Sequence, residues 1–251
     1  MRVSVVIPAL NEASTIAQVV RWAAASNPFE IVVIDADSTD DTAANARVAG
    51  AKVVNWREVF PELEPHKGKG ESLWRGVAYA SGDIVVFLDA DLASISSNIV
   101  AELAAPFVNE DVHMVRAQYQ RLLADGTSGG GRVTELTAKP LIAQLFPELS
   151  NIQQPLGGEY ALRRSSALEV PFVIDYGVEM GLLLDIAAKF GPQAIVETPT
   201  SPRQHRNRPL EELHPMAEMI TRTALARASE YKQLRWRGEI PQRPALATYL
   251  D

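Results

Sequence analysis

The 251-residue sequence contains no cysteine. That removes disulfides and thiolate metal ligands together, so any metal is held by oxygen or imidazole, and a reducing cytoplasm is the expected compartment. Aromatic residues are sparse, at 7%. No apolar run approaches the roughly 18–20 residues that span a bilayer, so no membrane partner is expected. The first residues, Met1-Arg2-Val3-Ser4-Val5-Val6-Ile7-Pro8, lack the small-residue cleavage site of a signal peptide and read as a strand. An excess of positive charge is missing too. The 24 Lys and Arg face 31 Asp and Glu, a net charge of −7, which argues against a nucleic-acid partner. Between Arg203 and Arg243 nine Lys and Arg face five Glu, a locally basic stretch that suits a small anionic ligand better than a polyanion.

What is present is an ordinary globular composition, 47% hydrophobic and 22% charged, enough for one domain with a sizeable core. The N-terminal half alternates strand and helix patterns. Strands are expected at 2–8, 30–35, 53–56 and 83–88. Helices are expected from about Ile16 (capped by Asn11 or Ser14), from about Asp41 to Gly50, and over 71–80. Strands that are apolar throughout, separated by helices, make an α/β fold with a mostly parallel sheet covered on both faces. In the second half the pattern gives a strand over 112–122, a glycine-rich loop over 125–131 and a helix over 133–146 kinked at Pro140. A helix over 175–190 closed by Gly191, a strand over 193–198 and a long helix over 210–234 follow.

Ligands of such sheets bind beyond the carboxyl ends of the strands. Three strands deliver polar or acidic residues there: Pro8-Ala9-Leu10-Asn11-Glu12, Asp35-Ala36-Asp37-Ser38 and Asp89-Ala90-Asp91. Two carboxylates one residue apart can grip Mg²⁺ or Mn²⁺, hard cations that in turn hold a diphosphate, although a lone Asp-x-Asp is also a common strand-end turn. His66-Lys67-Gly68-Lys69-Gly70-Glu71 combines close backbone approach with positive charge but lacks the P-loop spacing. Ser128-Gly129-Gly130-Gly131-Arg132-Val133-Thr134 runs into a helix N-terminus, where amide N–H groups, Arg132 and the Thr134 hydroxyl suit an anion, or else forms a simple linker. Arg203-Gln204-His205-Arg206-Asn207-Arg208 places an imidazole among arginines, as a solvated loop or as part of a metal shell. Glu159 and Glu179 are the other acids of interest.

Together these segments resemble GT-A-fold (Rossmann-like) glycosyltransferases. Val5 to Glu12, Val33-Ile34-Asp35 with Ser38 to Thr42, and Leu88 to Asp91 carry that likeness over about residues 1–95. Gly129 to Leu136, Gln154 to Ala161, Tyr176 to Gly181 and His205-Arg206-Asn207 are similar to the retaining glucosyl-3-phosphoglycerate synthases and their mannosyl-transferring relatives. The resemblance implies a hexosyltransferase that moves glucose or mannose from a nucleotide-sugar (UDP-glucose, GDP-glucose or GDP-mannose) to 3-phosphoglycerate. It implies Asp91 and His205 as ligands of Mg²⁺ or Mn²⁺. Pro8, Leu10, Glu12, Ala36, Lys69, Asp89 and Ala90 would contact the nucleotide-sugar, and Gly131, Arg132, Thr134 and Asn207 the acceptor. Asp91, Lys69 and Glu179 would carry the chemistry. Residues 1–111 would form the nucleotide-sugar half, and 112–251 the acceptor half with a helical extension, in one continuous domain. A homodimer stays open. Ala36 and Ala90 stand where such enzymes often have hydroxyl residues. Two rival functions share the N-terminal half: an inverting transferase acting on a polyprenyl phosphate, and a catalytically silent nucleotide-sugar-binding protein.

Overall fold

The structure, a computed structural model, describes residues 1–122, 131–204 and 209–232. Its strands are β1 (Val3–Ala9), β2 (Glu30–Asp35), β3 (Lys52–Asn55), β4 (Ile84–Phe87), β5 (Met114–Gln118), β6 (Arg121–Leu122), β7 (Tyr160–Arg163), β8 (Ile195–Pro199) and β9 (Arg203–Gln204). Helices are α1 (Ile16–Ala24), α2 (Thr42–Val48), the single turn α3 (Trp56–Val59), α4 (Lys69–Tyr79), α5 (Ile99–Ala104), α6 (Lys139–Leu145), the single turn α7 (Arg164–Ala167), α8 (Val178–Phe190) and α9 (Leu210–Lys232).

The main sheet has the order β3-β2-β1-β4-β7-β5-β8. Every neighbouring pair is parallel except those made by β7, which runs antiparallel between β4 and β5. Burial on both faces explains the unbroken apolar strands. Val5, Ile7, Val33 and Val86 face α1, α2 and α5, while Val6, Val32, Ile34 and Val85 face α4, α8 and α9. The carboxyl ends of β1, β2 and β4 open on one edge, which holds the site.

The first four strands and their helices lie within two residues of the expected bounds. One shift matters: α4 begins at Lys69, so Lys69 and Gly70 stand on its first turn and not in a loop. α1 starts only after Thr15, without a side-chain cap. Asn11 is no cap, because its amide oxygen accepts from the Thr39 N–H at 2.8 Å. The expected strand over 112–122 is two strands in two sheets, since β6 leaves the main sheet to pair with β9. The kinked helix over 133–146 is a π turn, Thr134–Ala138, followed by α6. The wider turn puts Pro140 at the start of α6, where its missing N–H costs nothing. α8 begins at Val178, not Asp175, and β8 at Ile195 after a 3₁₀ turn. β7 and α5 carry no periodicity long enough to announce them. Residues 123–130, 205–208 and 233–251, and with them the Ser128–Gly130 and His205–Arg208 motifs, lie outside the described residues.

At the edge remote from the site, Glu30 is buried and accepts from Ser4 Oγ at 2.7 Å, Ser81 N–H at 2.8 Å, Ser81 Oγ at 2.9 Å and Lys52 Nζ at 2.9 Å. Burial pushes its carboxyl up, but these donors prevail and lower it from 4.5 to about 2. A carboxyl lowered on folding contributes stability at pH values above its unfolded value, and that stability is lost as pH falls from 4.5 toward 2. The contribution is about 3 kcal/mol. Urea midpoints of Glu30→Gln are therefore expected to fall well below wild type at pH 7 and to approach it at pH 3. A constant difference across that range would contradict the assignment.

Candidate active site

The first two strand ends are zipped together before any ligand arrives. Asn11, at φ 58°, donates its N–H to Ser38 Oγ at 3.0 Å, and Glu12 N–H donates to Thr42 Oγ1 at 2.7 Å. Ala13 N–H reaches Asp40 Oδ2 at 3.2 Å. The Pro8-Ala9-Leu10 turn is thus fixed by the β2–α2 loop and presents Leu10, 55% exposed, at the open edge. Glu12 sits behind it. Its carboxyl is raised by burial and then by Asp91, Asp40 and Asp89, against a hydrogen bond from Thr15 that lowers it.

At the centre, Lys69 Nζ lies 2.6 Å from Asp89 Oδ1 and 2.6 Å from Glu179 Oε1. Asp89 follows β4, Lys69 opens α4, and Glu179 stands in the first turn of α8. One ammonium therefore joins three elements. Burial opposes its charge, yet the two carboxylates hold it well above the ordinary lysine value. Glycines make the approach possible. A Cβ on Gly70 would fall 1.8 Å from the Val173 carbonyl oxygen, and one on Gly68, at φ +138°, would fall 2.6 Å from that of Ile174. The Glu71 N–H donates to the same Ile174 oxygen at 3.2 Å. A Cβ on Gly158 would lie 2.1 Å from Asp89 Oδ2, so the 157–158 backbone forms the surface on which Asp89 rests.

Beneath that backbone lies a buried polar floor. Arg116 donates to the carbonyls of Gln154 at 3.0 Å and Gly157 at 2.8 Å. Arg203 stacks 4.7 Å from the Tyr119 ring centroid, and its Nη1 lies 2.5 Å from Glu159 Oε1. That ion pair is off the hydrogen-bonding direction, and the three guanidinium nitrogens have no hydrogen-bond partner among the described residues. Burial raises the Glu159 carboxyl, and Arg203 opposes it.

The pattern of glycosyl transferase family 2 matches residues 4–164. The glucosyl-3-phosphoglycerate synthase of Mycolicibacterium smegmatis is 45% identical over 236 residues, covering 90% of this chain and 77% of that one. The chain belongs to this family. Its fold matches the Mycobacterium tuberculosis family member solved with Mn²⁺, UDP-glucose and phosphoglyceric acid, at a TM-score of 0.84 and 43% identity over 91% of this chain and 80% of that one. A second structure of that enzyme holds Mn²⁺, UDP and glucosyl-3-phosphoglycerate, at the same TM-score of 0.84 and 43% identity, with 91% and 80% covered.

Seen as a family member, the chain brings Pro8, Leu10, Glu12, Lys69, Asp89, Asp91 and Glu179 to one edge. Two expected residues contribute differently. Ala90 is 4% exposed and belongs to the core, so only its backbone can meet a ligand, and half-buried Ala36 packs against the other core cluster. Gly131, at φ +65°, half-buried Arg132 and buried Thr134 stand where the chain enters the π turn. His205 and Asn207 lie outside the described residues, and among those described no group of three His, Asp or Glu is placed to hold a metal. The donor chemistry nevertheless fits a divalent cation. Burial, and after it the carboxylates of Asp91, Asp40 and Asp89, raise the Glu12 carboxyl, and a cation would relieve the repulsion among them. Glu159 and Arg203 were noted in the sequence without a role, and Arg116 not at all, because an isolated charged residue looks solvated until the fold buries it.

Gly70→Ala tests the docking directly. Its methyl has no room against Val173, so α4 shifts and carries Lys69 from its carboxylates. Misplacement of about 1 Å costs about 100-fold in turnover. That loss is expected here, with Val48→Ala, at a side chain 90% exposed on α2, as a fully active control. Equal activity in both variants would contradict the role of the close approach.

Proposed function

We propose that this chain transfers glucose from UDP-glucose to the hydroxyl of 3-phosphoglycerate with retention of configuration, assisted by Mn²⁺ or Mg²⁺. The observation that carries the reading is the Lys69 ammonium clamped between Asp89, of the Asp-Ala-Asp strand end, and Glu179, in a chain of this family. Family members solved with UDP-glucose, Mn²⁺ and phosphoglyceric acid support the choice of substrates. Residues 1–111 serve the donor and 112–251 the acceptor.

Pro8, Leu10 and Glu12 hold the nucleoside against the zipped strand ends, with the backbones of Ala36 and Ala90. Asp91 and His205 would hold the metal, which would supply positive charge to the leaving diphosphate. Lys69 and the Arg203 guanidinium, ion-paired to Glu159 but without a hydrogen bond among the described residues, supply further positive charge on that side. The bond from the anomeric carbon to the diphosphate breaks while the acceptor oxygen bonds to the same face. The hydroxyl proton passes to a diphosphate oxygen. Glu179 is tied to Lys69, which suits a positioning role near the sugar better than that of a covalent nucleophile. Gly131, Arg132, Thr134 and Asn207 hold the acceptor. Both substrates are charged phosphates that do not cross a bilayer unaided, which puts the reaction in the cytoplasm. Nothing in the described residues favours a polyprenyl acceptor or a silent binding protein.

The test is mass-spectrometric detection of product from UDP-glucose, GDP-glucose and GDP-mannose with 3-phosphoglycerate. Glucosyl-3-phosphoglycerate from UDP-glucose is expected, abolished by EDTA, restored by Mn²⁺ and absent with Asp91→Asn. Turnover that persists in chelator would remove the metal assignment.

A second expectation separates the proposed donor and acceptor residues. Arg132→Ala should weaken 3-phosphoglycerate binding by roughly 1.5–3 kcal/mol, the range for a hydrogen bond to a charged group, and leave UDP-glucose affinity unchanged. Isothermal titration of each ligand measures both. Equal losses would hand the glycine-rich loop to the nucleotide.

A further inference from the structure

We infer that Arg121 is a second cation of the acceptor site and binds the phosphate of the phosphorylated acceptor beside Arg132; this rests on the acceptor assignment above.

Four features place it there. β6 pairs with β9 in a register that sets Arg121 against Arg203, so the guanidinium stands beside the floor of the active site. Gln154 Oε1 accepts from Arg121 Nε at 3.0 Å and from Nη2 at 2.7 Å, while Gln154 Nε2 donates to the Tyr119 carbonyl at 3.0 Å. That amide is buried and held at both ends, so it fixes the plane of the arginine fork. Nη2 also reaches Thr134 Oγ1 at 3.4 Å. Finally, Gly131 lies directly on the guanidinium. A Cβ there would fall 2.7 Å from Nη1 and 2.8 Å from Cζ, so any side chain at 131 would push the fork out of place. Arg121 thus touches two of the residues assigned to the acceptor, Gly131 and Thr134, from the side opposite the chain direction.

Charge gives the reason for a second cation. The acceptor carries a phosphate of nearly two negative charges and a carboxylate, and one arginine fork matches one such group. A phosphate offers three oxygens, more than Arg132 and one hydroxyl satisfy. An arginine whose orientation is set in advance by a buried amide loses little freedom on meeting it.

The experiment compares wild type, Arg121→Gln and Arg121→Lys, with melting curves to verify folding. Transfer to 3-phosphoglycerate is assayed, and glycerol 3-phosphate (no carboxylate) and glycerate (no phosphate) are titrated as competitive inhibitors. Arg121→Gln is expected to raise the KM for 3-phosphoglycerate at least tenfold with little change in kcat, and to raise the inhibition constant of glycerol 3-phosphate similarly. The glycerate constant and the UDP-glucose Kd should stay within twofold of wild type, and Arg121→Lys should recover part of the loss. An unchanged KM, a loss shared by donor and acceptor, or a loss equally large for glycerate would overturn the inference. If wild type itself does not use 3-phosphoglycerate, the acceptor assignment falls first, and Arg121's role with it.

Discussion

The contact on which the site depends is that of the Lys69 ammonium with the carboxylates of Asp89 and Glu179, 2.6 Å away on either side. It joins the carboxyl end of a central strand, the first turn of α4 and the first turn of α8. None of these groups is stable alone in that position. Removing the cation would leave the buried Glu179 and the half-buried Asp89 to repel each other, and removing the carboxylates would leave the half-buried ammonium without a partner charge. The three charges therefore exist there only as a set. A metal and a diphosphate held beside Asp91, as proposed, would extend the same alternation of charge.

The glycines follow from that constraint. Lys69 can reach both partners only if α4 begins in contact with the Val173–Ile174 backbone, which leaves no volume for a Cβ at 68 or 70. Asp89 can lie on the 157–158 backbone only if residue 158 lacks one as well. α9 then covers the start of α8: Gly177 and Gly181 lie against Thr223, and Asp185 is gripped by Arg227 at 2.6 Å and Tyr231 at 2.7 Å. Packing remote from the ligands thereby holds Glu179 where Lys69 needs it.

Much of this was legible in the sequence, for identifiable reasons. Apolar strands of the doubly covered sheet stand out by composition alone, and the acidic residues directly after them mark the ligand edge. Lys69, Asp89 and Glu179 were each expected at the site, but their mutual contact was not, because it joins residues 20 to 110 positions apart. The antiparallel β7 was hidden by its length of four residues. The split of the 112–122 run into β5 and β6 depends on a pairing with β9 more than 80 residues away. Arg116 and Arg121 escaped notice, and Arg203 was read only as part of a basic run, for a related reason: what distinguishes a structural arginine from a solvated one is its partners, and here those are the carbonyls of 154 and 157, the Gln154 amide and the Glu159 carboxylate.

A double-mutant cycle on folding stability addresses the central contact most directly, with Lys69→Met, Glu179→Gln and the pair measured by urea unfolding without ligands. Removing Lys69 leaves two carboxylates without their cation and should cost about 3 kcal/mol. Neutralising Glu179 as well should return much of that loss, with an interaction energy of about 2 kcal/mol between the two sites. Additive effects, with no interaction energy between Lys69 and Glu179, would contradict the account.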